Sequence, residues 1–218
     1  ARRTTWEGGP MTTKRQARRA EIARAAVGPL SAEGVGNVRL NDVGKSLGMT
    51  GAHILYYFES KNDLFMAALT TVEEDLRSRV MSRFEELESA RERWDWLLEV
   101  GAPTGLDDSG LLLWLEGWAG AVHQEDVLAL ITELEAAWQQ LLRDVLTYGI
   151  ERGELPSSLD VELLAEGVSA LLDGLTIRVV VGYRPVDHDR AMEVVRMFLD
   201  PIVPWREATD NRNERGEQ

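Results

Sequence analysis

The chain contains no cysteine. That excludes disulfides, thiolate metal centres and cysteine nucleophiles together. Long apolar runs are missing too. Leu111 to Leu115 and Val179 to Val181 fall far short of the roughly 18 residues a membrane span needs. The amino terminus carries charge with no apolar stretch behind it, so it does not read as a secretion signal, and a cytoplasmic location is expected. Histidine is scarce. His53, His123 and His188 have no glutamate three residues ahead, which argues against a helical Glu-x-x-His metal centre. Asp187-His188-Asp189 is a tight cluster of potential ligands, but it reads better as a helix start after Pro185. No phosphate-cradling Walker loop, dinucleotide fingerprint or nucleophile elbow occurs. No enzyme, cofactor or metal is therefore expected.

What is present is an uneven distribution of charge. The 218 residues carry a net charge of -13. Residues 1–60 contribute +4, and the remaining 158 contribute -17. A basic head on an acidic body suits a protein whose head meets a polyanion. It also suits a solvated surface of uneven charge, and charge alone does not separate the two.

Between a flexible arm at 1–13 and a polar, disordered tail at 206–218, the pattern is helical almost throughout. The spacing predicts helices over about 14–30, 41–47, 51–58, 60 to the high 80s, 91–100, 107–122, 125–152, 160–181 and 187–203. Gly28-Pro29 is expected to bend the end of the first helix. No period-2 strand pattern and no fixed-period repeat stands out. The fold class is all-α, with a three-helix module at 14–60 and a larger helical body at 61–205, about nine helices in all.

The stretch Leu40 to Phe58 carries the function. Two short helices joined by a tight turn need a small residue where they touch and a glycine able to take positive φ at the turn. Gly44 and Gly48 stand at those places. Val43, Leu47, Met49, Ile54 and Tyr57 have the spacing that locks such a pair. This is a helix-turn-helix, whose second helix enters a DNA major groove. Thr50, Gly51, Ala52, His53 and Tyr56 occupy its exposed turns. His53 can donate to guanine N7 or O6, and Ala52 and the Thr50 methyl can touch a thymine methyl. Arg15, Arg18, Arg19 and Arg39 would add phosphate or minor-groove contacts.

Arg15 to Leu69 resembles the DNA-binding domain of TetR-type transcriptional regulators. The most specific pieces are Gly48-Met49-Thr50 and Tyr57-Phe58-Glu59-Ser60-Lys61-Asn62-Asp63-Leu64, supported upstream by Ile22, Ala25, Ala26 and Gly34. The body is similar to the choline-repressor-like branch near Trp114 to Trp138 and at Asp173-Gly174-Leu175. The resemblance implies that Tyr57 and Lys61 bind phosphate. The sequence departs from the family in four places. Arg39 replaces a capping Ser or Thr, so that either Asn41 caps the helix or its start frays. Gly44 replaces Ala, at roughly 1 kcal/mol of helix propensity. Gly51 replaces Lys or Arg, removing one expected phosphate contact. Leu55 replaces Tyr.

Trp94, Trp114, Trp118 and Trp138, with Glu116, His123 and Asp173, lie in the acidic body. They either fill a helical core or line the effector cavity that the resemblance implies. Indole faces beside carboxylates suit a cation, and an apolar lining suits an aromatic molecule equally well. Leu164, Val168, Leu171, Leu172, Leu175 and Val179 form one apolar stripe, and Val195, Phe198, Leu199 and Ile202 another. By resemblance these make a homodimer interface, although either stripe could face its own core. The reading is thus a homodimeric repressor of a palindromic operator in double-stranded DNA, released by a small-molecule effector. The competing reading is a DNA-binding regulator or architectural protein without an effector.

Overall fold

The computed structural model describes residues 11–183 and 186–206. Among them run nine α-helices and no strand: α1 (Met11–Asn37), α2 (Leu40–Lys45), α3 (Gly51–Ile54), α4 (Lys61–Glu86), α5 (Ala90–Gly101), α6 (Ser109–Ala121), α7 (Glu125–Glu151), α8 (Val161–Val181) and α9 (His188–Leu199). None of the described helices is long and apolar enough to cross a membrane. Residues 1–10 of the expected arm and 207–218 of the expected tail lie outside the described residues. Residues 11–13 do not belong to an arm: α1 already begins at Met11.

α1 also runs further than its Gly28-Pro29 pair suggests. It passes through Pro29 and breaks only at Gly34, where φ is 74°. The Ser31 hydroxyl lies 2.8 Å from the Val27 carbonyl and 2.9 Å from that of Gly28, and so supports the turn that proline weakens. α4 starts on a local cap. The Asp63 N–H donates to Ser60 Oγ at 3.0 Å, and the Glu59 N–H donates to the Asp63 carboxylate at 3.0 Å. α5 carries a full capping box between Ser89 and Glu92, and Asp160 and Asp187 cap α8 and α9.

The chain divides into two compact units, residues 1–77 with 109–132, and 78–108 with 133–218. The expected boundary at residue 60 differs from this division, because α6 packs along α1. The first unit is built around Ile22, Ala26, Leu30, Val43, Ile54, Phe58, Leu64, Phe65 and Leu69, all buried, together with Leu113 and Trp114 of α6. A side-chain carbon at Gly117 would stand 2.7 Å from Ile131 Cδ1, so its lack of a side chain admits α6 to this packing. The second unit is a bundle of α5, α8 and α9 with the adjoining lengths of α4 and α7. Its core includes Phe84, Trp94, Leu97, Leu142, Leu146, Leu172 and Val195.

Candidate nucleic-acid interface and effector site

α2 and α3 meet as the turn chemistry requires. Gly48 takes φ 62°. A side-chain carbon at Gly44 would lie 2.2 Å from the Met49 carbonyl oxygen, so the helix and the turn touch backbone to backbone. The Met49 N–H donates to the Gly44 carbonyl at 2.9 Å and fixes that approach. Thr50 caps α3, its side chain accepting the His53 N–H at 3.3 Å. Arg39 precedes α2 with no side-chain capping bond. Asn41 does not replace it there. Its Oδ1 instead accepts the Gly51 N–H at 2.6 Å and ties α2 to the start of α3.

The outward face of α3 and the following turn presents Thr50, Ala52, His53 and Tyr56, the last 68% exposed. Tyr57 is half-buried, with His53 and Tyr56 against its ring at centroid distances of 5.8 and 5.2 Å. Arg15 is exposed, with its guanidinium 5.7 Å from the Tyr56 ring centroid. Arg39 is exposed, while Arg18 pairs with Glu21 at 2.6 Å.

Three expected DNA contacts are placed differently. Gly51 is buried, with Asn41 Oδ1 only 3.0 Å from where its side chain would begin, so it serves the helix junction and is not on the exposed surface. Arg19 points inward. It pairs with Asp63, donates to the Tyr57 carbonyl at 2.6 Å and lies over the Phe58 ring at 4.3 Å. Burial pushes the Asp63 carboxyl up, but bonds from Arg19 and the Glu59 N–H outweigh it and leave it below the usual carboxylate range. Lys61 is half-buried and donates to the Gly36 carbonyl at 3.1 Å, bracing the turn ahead of α2.

The aromatic and acidic residues of the body fall into both units. In the first, Trp114 is buried and donates its indole N–H to Glu73 at 2.5 Å, with Trp118 at 5.7 Å between ring centroids. Glu116 accepts the Val35 N–H at 3.4 Å, at the broken end of α1, so this carboxylate is engaged by the protein itself. His123 is exposed at the end of α6. In the second unit, Trp94 is 2% exposed and packs near Trp205 in the core.

Trp138 and Asp173 remain as cavity candidates. Trp138 Cζ2 and Leu172 Cδ1 would stand 2.8 and 3.1 Å from a side-chain carbon at Gly101, so α5, α7 and α8 converge there. Asp173 follows Leu172 on α8. Burial pushes its carboxyl up to about 7, and the Glu135 carboxylate adds to the rise. Glu135 and Trp138 lie one turn apart on α7 and share a face. Glu135 was not among the residues the sequence singled out, although its i, i+3 spacing from Trp138 was a readable signal.

Asp187 caps α9 by accepting the Arg190 N–H at 2.8 Å, as a helix start should. His188 Nδ1 lies 3.1 Å from the Pro103 carbonyl and Nε2 lies 2.9 Å from Glu99. Bonding to Glu99 raises its pKa. Among the described residues no three potential ligands converge on a metal position.

The expected interface stripes are mostly internal. Leu164, Val168, Leu172, Leu175, Val179, Val195 and Leu199 are buried within the chain itself, and Leu171 is half-buried. Phe198 and Ile202 are exposed. The outward face of α8 instead presents Leu163, Gly167, Ala170, Gly174, Ile177 and Val181 at helical spacing, and α9 adds Met197.

The chain matches two known protein families. Residues 22–68 match the bacterial regulatory proteins of the tetR family, and residues 90–204 match the BetI-type transcriptional repressor C-terminal family. The HTH-type transcriptional regulator BetI of Escherichia coli K12 is 27% identical over 192 residues, covering 86% of this chain and 94% of that protein. The Klebsiella pneumoniae BetI is 26% identical with the same coverage. A transcriptional regulator from Saccharomonospora viridis, solved in complex with choline, superposes with a TM-score of 0.78 at 27% identity, covering 88% of this chain and all of that one. These families and relatives are transcriptional regulators, not enzymes.

Proposed function

Since the chain belongs to the TetR family of transcriptional regulators and carries a BetI-type C-terminal domain, we propose that it is a homodimeric repressor released from a palindromic operator by a quaternary ammonium effector. The observation that carries the effector half is Asp173, a half-buried carboxyl within electrostatic reach of Glu135, which itself stands one turn from Trp138 on α7. Two carboxylates crowded together in a half-buried place repel one another, and a cation relieves that repulsion. An indole face adds cation–π attraction. The choline held by the Saccharomonospora viridis relative supports the same ligand class. The DNA half rests on Thr50, Ala52, His53 and Tyr56, held outward by a helix pair fixed at Gly44 and Asn41. The dimer rests on the outward stripes of α8 and α9. A homodimer supplies two recognition helices, which a palindrome with half-sites one DNA turn apart, about 34–36 Å, requires.

The test is selection of bound duplexes from a random pool by the full chain, followed by titration of the selected duplex with choline. A palindrome with half-sites one turn apart is expected, and choline is expected to release it. His53→Ala is expected to weaken the selected duplex by about 1–3 kcal/mol while leaving random duplex unchanged. Release is expected to need more choline as pH falls through about 7, because protonation of Asp173 removes the charge that holds the cation. A palindrome that choline leaves bound would sink the effector reading and favour a regulator without one. No enriched sequence would sink the operator reading.

A further inference from the structure

Several helical hydroxyls of this chain fold back on their own helix. Thr70 Oγ1 lies 2.9 Å from the Met66 carbonyl, Thr71 Oγ1 2.8 Å from Ala67, and Thr132 Oγ1 2.8 Å from Leu128. That is the ordinary way for a Ser or Thr inside a helix to satisfy its hydroxyl. Ser169, in the middle of α8, does not do so. It is 4% exposed, and its Oγ is buried with no hydrogen-bond partner. A buried hydroxyl left unpaired is a standing cost to the fold unless something else pairs it.

Its position says what that partner is. Ser169 precedes Asp173 by one helical turn, so the two share a face of α8, with side-chain roots about 5–6 Å apart. Leu172, between them in sequence, is the residue that meets Trp138 at Gly101. An unpaired hydroxyl and a carboxyl therefore share one face of α8, and Leu172 between them meets the Trp138 indole at Gly101. Asp173 and Trp138 provide for a positive charge, while Ser169 provides for a second polar group a short arm away.

We propose that Ser169 is the specificity-determining residue of this site, pairing with the hydroxyl of a two-carbon quaternary ammonium alcohol whose charged head rests at Asp173 and Trp138. The assignment rests on the cation site proposed above. An analogue without the hydroxyl leaves Ser169 unpaired, and sites built on buried polar groups reject such analogues more strongly than apolar pockets reject a missing methylene.

The test is calorimetric titration of the full chain at pH 8 with choline and, separately, with tetramethylammonium. The wild type is expected to prefer choline by about tenfold or more, and Ser169→Ala to bring the two within about twofold while keeping its affinity for tetramethylammonium. The ratio of two ligands is a readout that a purely structural serine would not move. Ser169→Ala is also expected to melt at or above the wild-type temperature, since it removes an unpaired group. An undiminished choline preference in Ser169→Ala would overturn the assignment, as would equal binding of both cations by the wild type. Binding of neither cation by the wild type would instead overturn the cation site itself, and this inference with it.

Discussion

Arg19 carries a charge that does not look outward. Its guanidinium is shared among the Asp63 carboxylate, the Tyr57 carbonyl and the Phe58 ring. It therefore holds the first helix against the end of the recognition segment and the start of α4. Arg19→Ala is expected to lower stability by about 1–2 kcal/mol, the modest figure reflecting a partly solvated pair. It is expected to weaken specific and random duplex alike, with the salt dependence of binding unchanged. Arg15→Ala, which removes an exposed cation, is expected to lower the salt slope by about one. Binding measured across a range of salt concentrations separates the two. The sequence offered no means of telling these arginines apart, for Arg15, Arg18 and Arg19 stand together in one basic run. What distinguishes Arg19 is Asp63, which lies 44 residues away along the chain. Asn41 and Glu116 show the same dependence on partners beyond their own turn, since each accepts a backbone N–H from another segment.

Among the elements, the α2–α3 pair was the most legible, because its demands are local. A tight turn needs Gly48, and a close crossing needs Gly44, and both are visible in a dozen residues. The structure sharpens the second point. With the Met49 oxygen 2.2 Å from where a methyl group would stand, Gly44→Ala forces backbone apart. The alanine would gain helix propensity of roughly 1 kcal/mol, and overpacking of about 1–3 kcal/mol opposes it. A net loss of melting temperature is expected, with operator binding falling in parallel. A more stable, fully binding Gly44→Ala would show that the contact is not tight. The ends of α1 were less legible. Gly28-Pro29 reads as a bend in the last turn of a helix ending near residue 30, yet the helix passes through it and breaks at Gly34. Local breaker residues gave the wrong position there because Leu30, which packs fully buried, holds the turn after proline in place.

Over the whole molecule, the all-helical class and the order of helices were readable, while the direction each apolar stripe faces was not. α8 is apolar on nearly every side. Periodicity finds Leu164, Val168, Leu172, Leu175 and Val179 as readily as Leu163, Ile177 and Val181, and only packing shows that the first set is internal. The outward set carries the dimer proposal. Phe198→Asp and Ile177→Asp, alone and together, are expected to yield a monomer by sedimentation with unchanged helix content. Loss of operator binding should accompany it, since one helix-turn-helix reads only half a palindrome. A dimer persisting in the double variant would place the subunit contact elsewhere.

The bond from Gly51 N–H to Asn41 Oδ1 has a further consequence. α3 is a single turn of four residues, too short to hold its own direction in isolation. Its first N–H is taken by the helix before it, and the His53 N–H by Thr50. The aim of His53 and Tyr56 is thus fixed while the protein is still free in solution. Little chain entropy remains to be lost when the helix enters a groove. Association with the right duplex should therefore resemble rigid docking more than folding upon contact, and discrimination between duplexes should appear chiefly in how long each complex lasts.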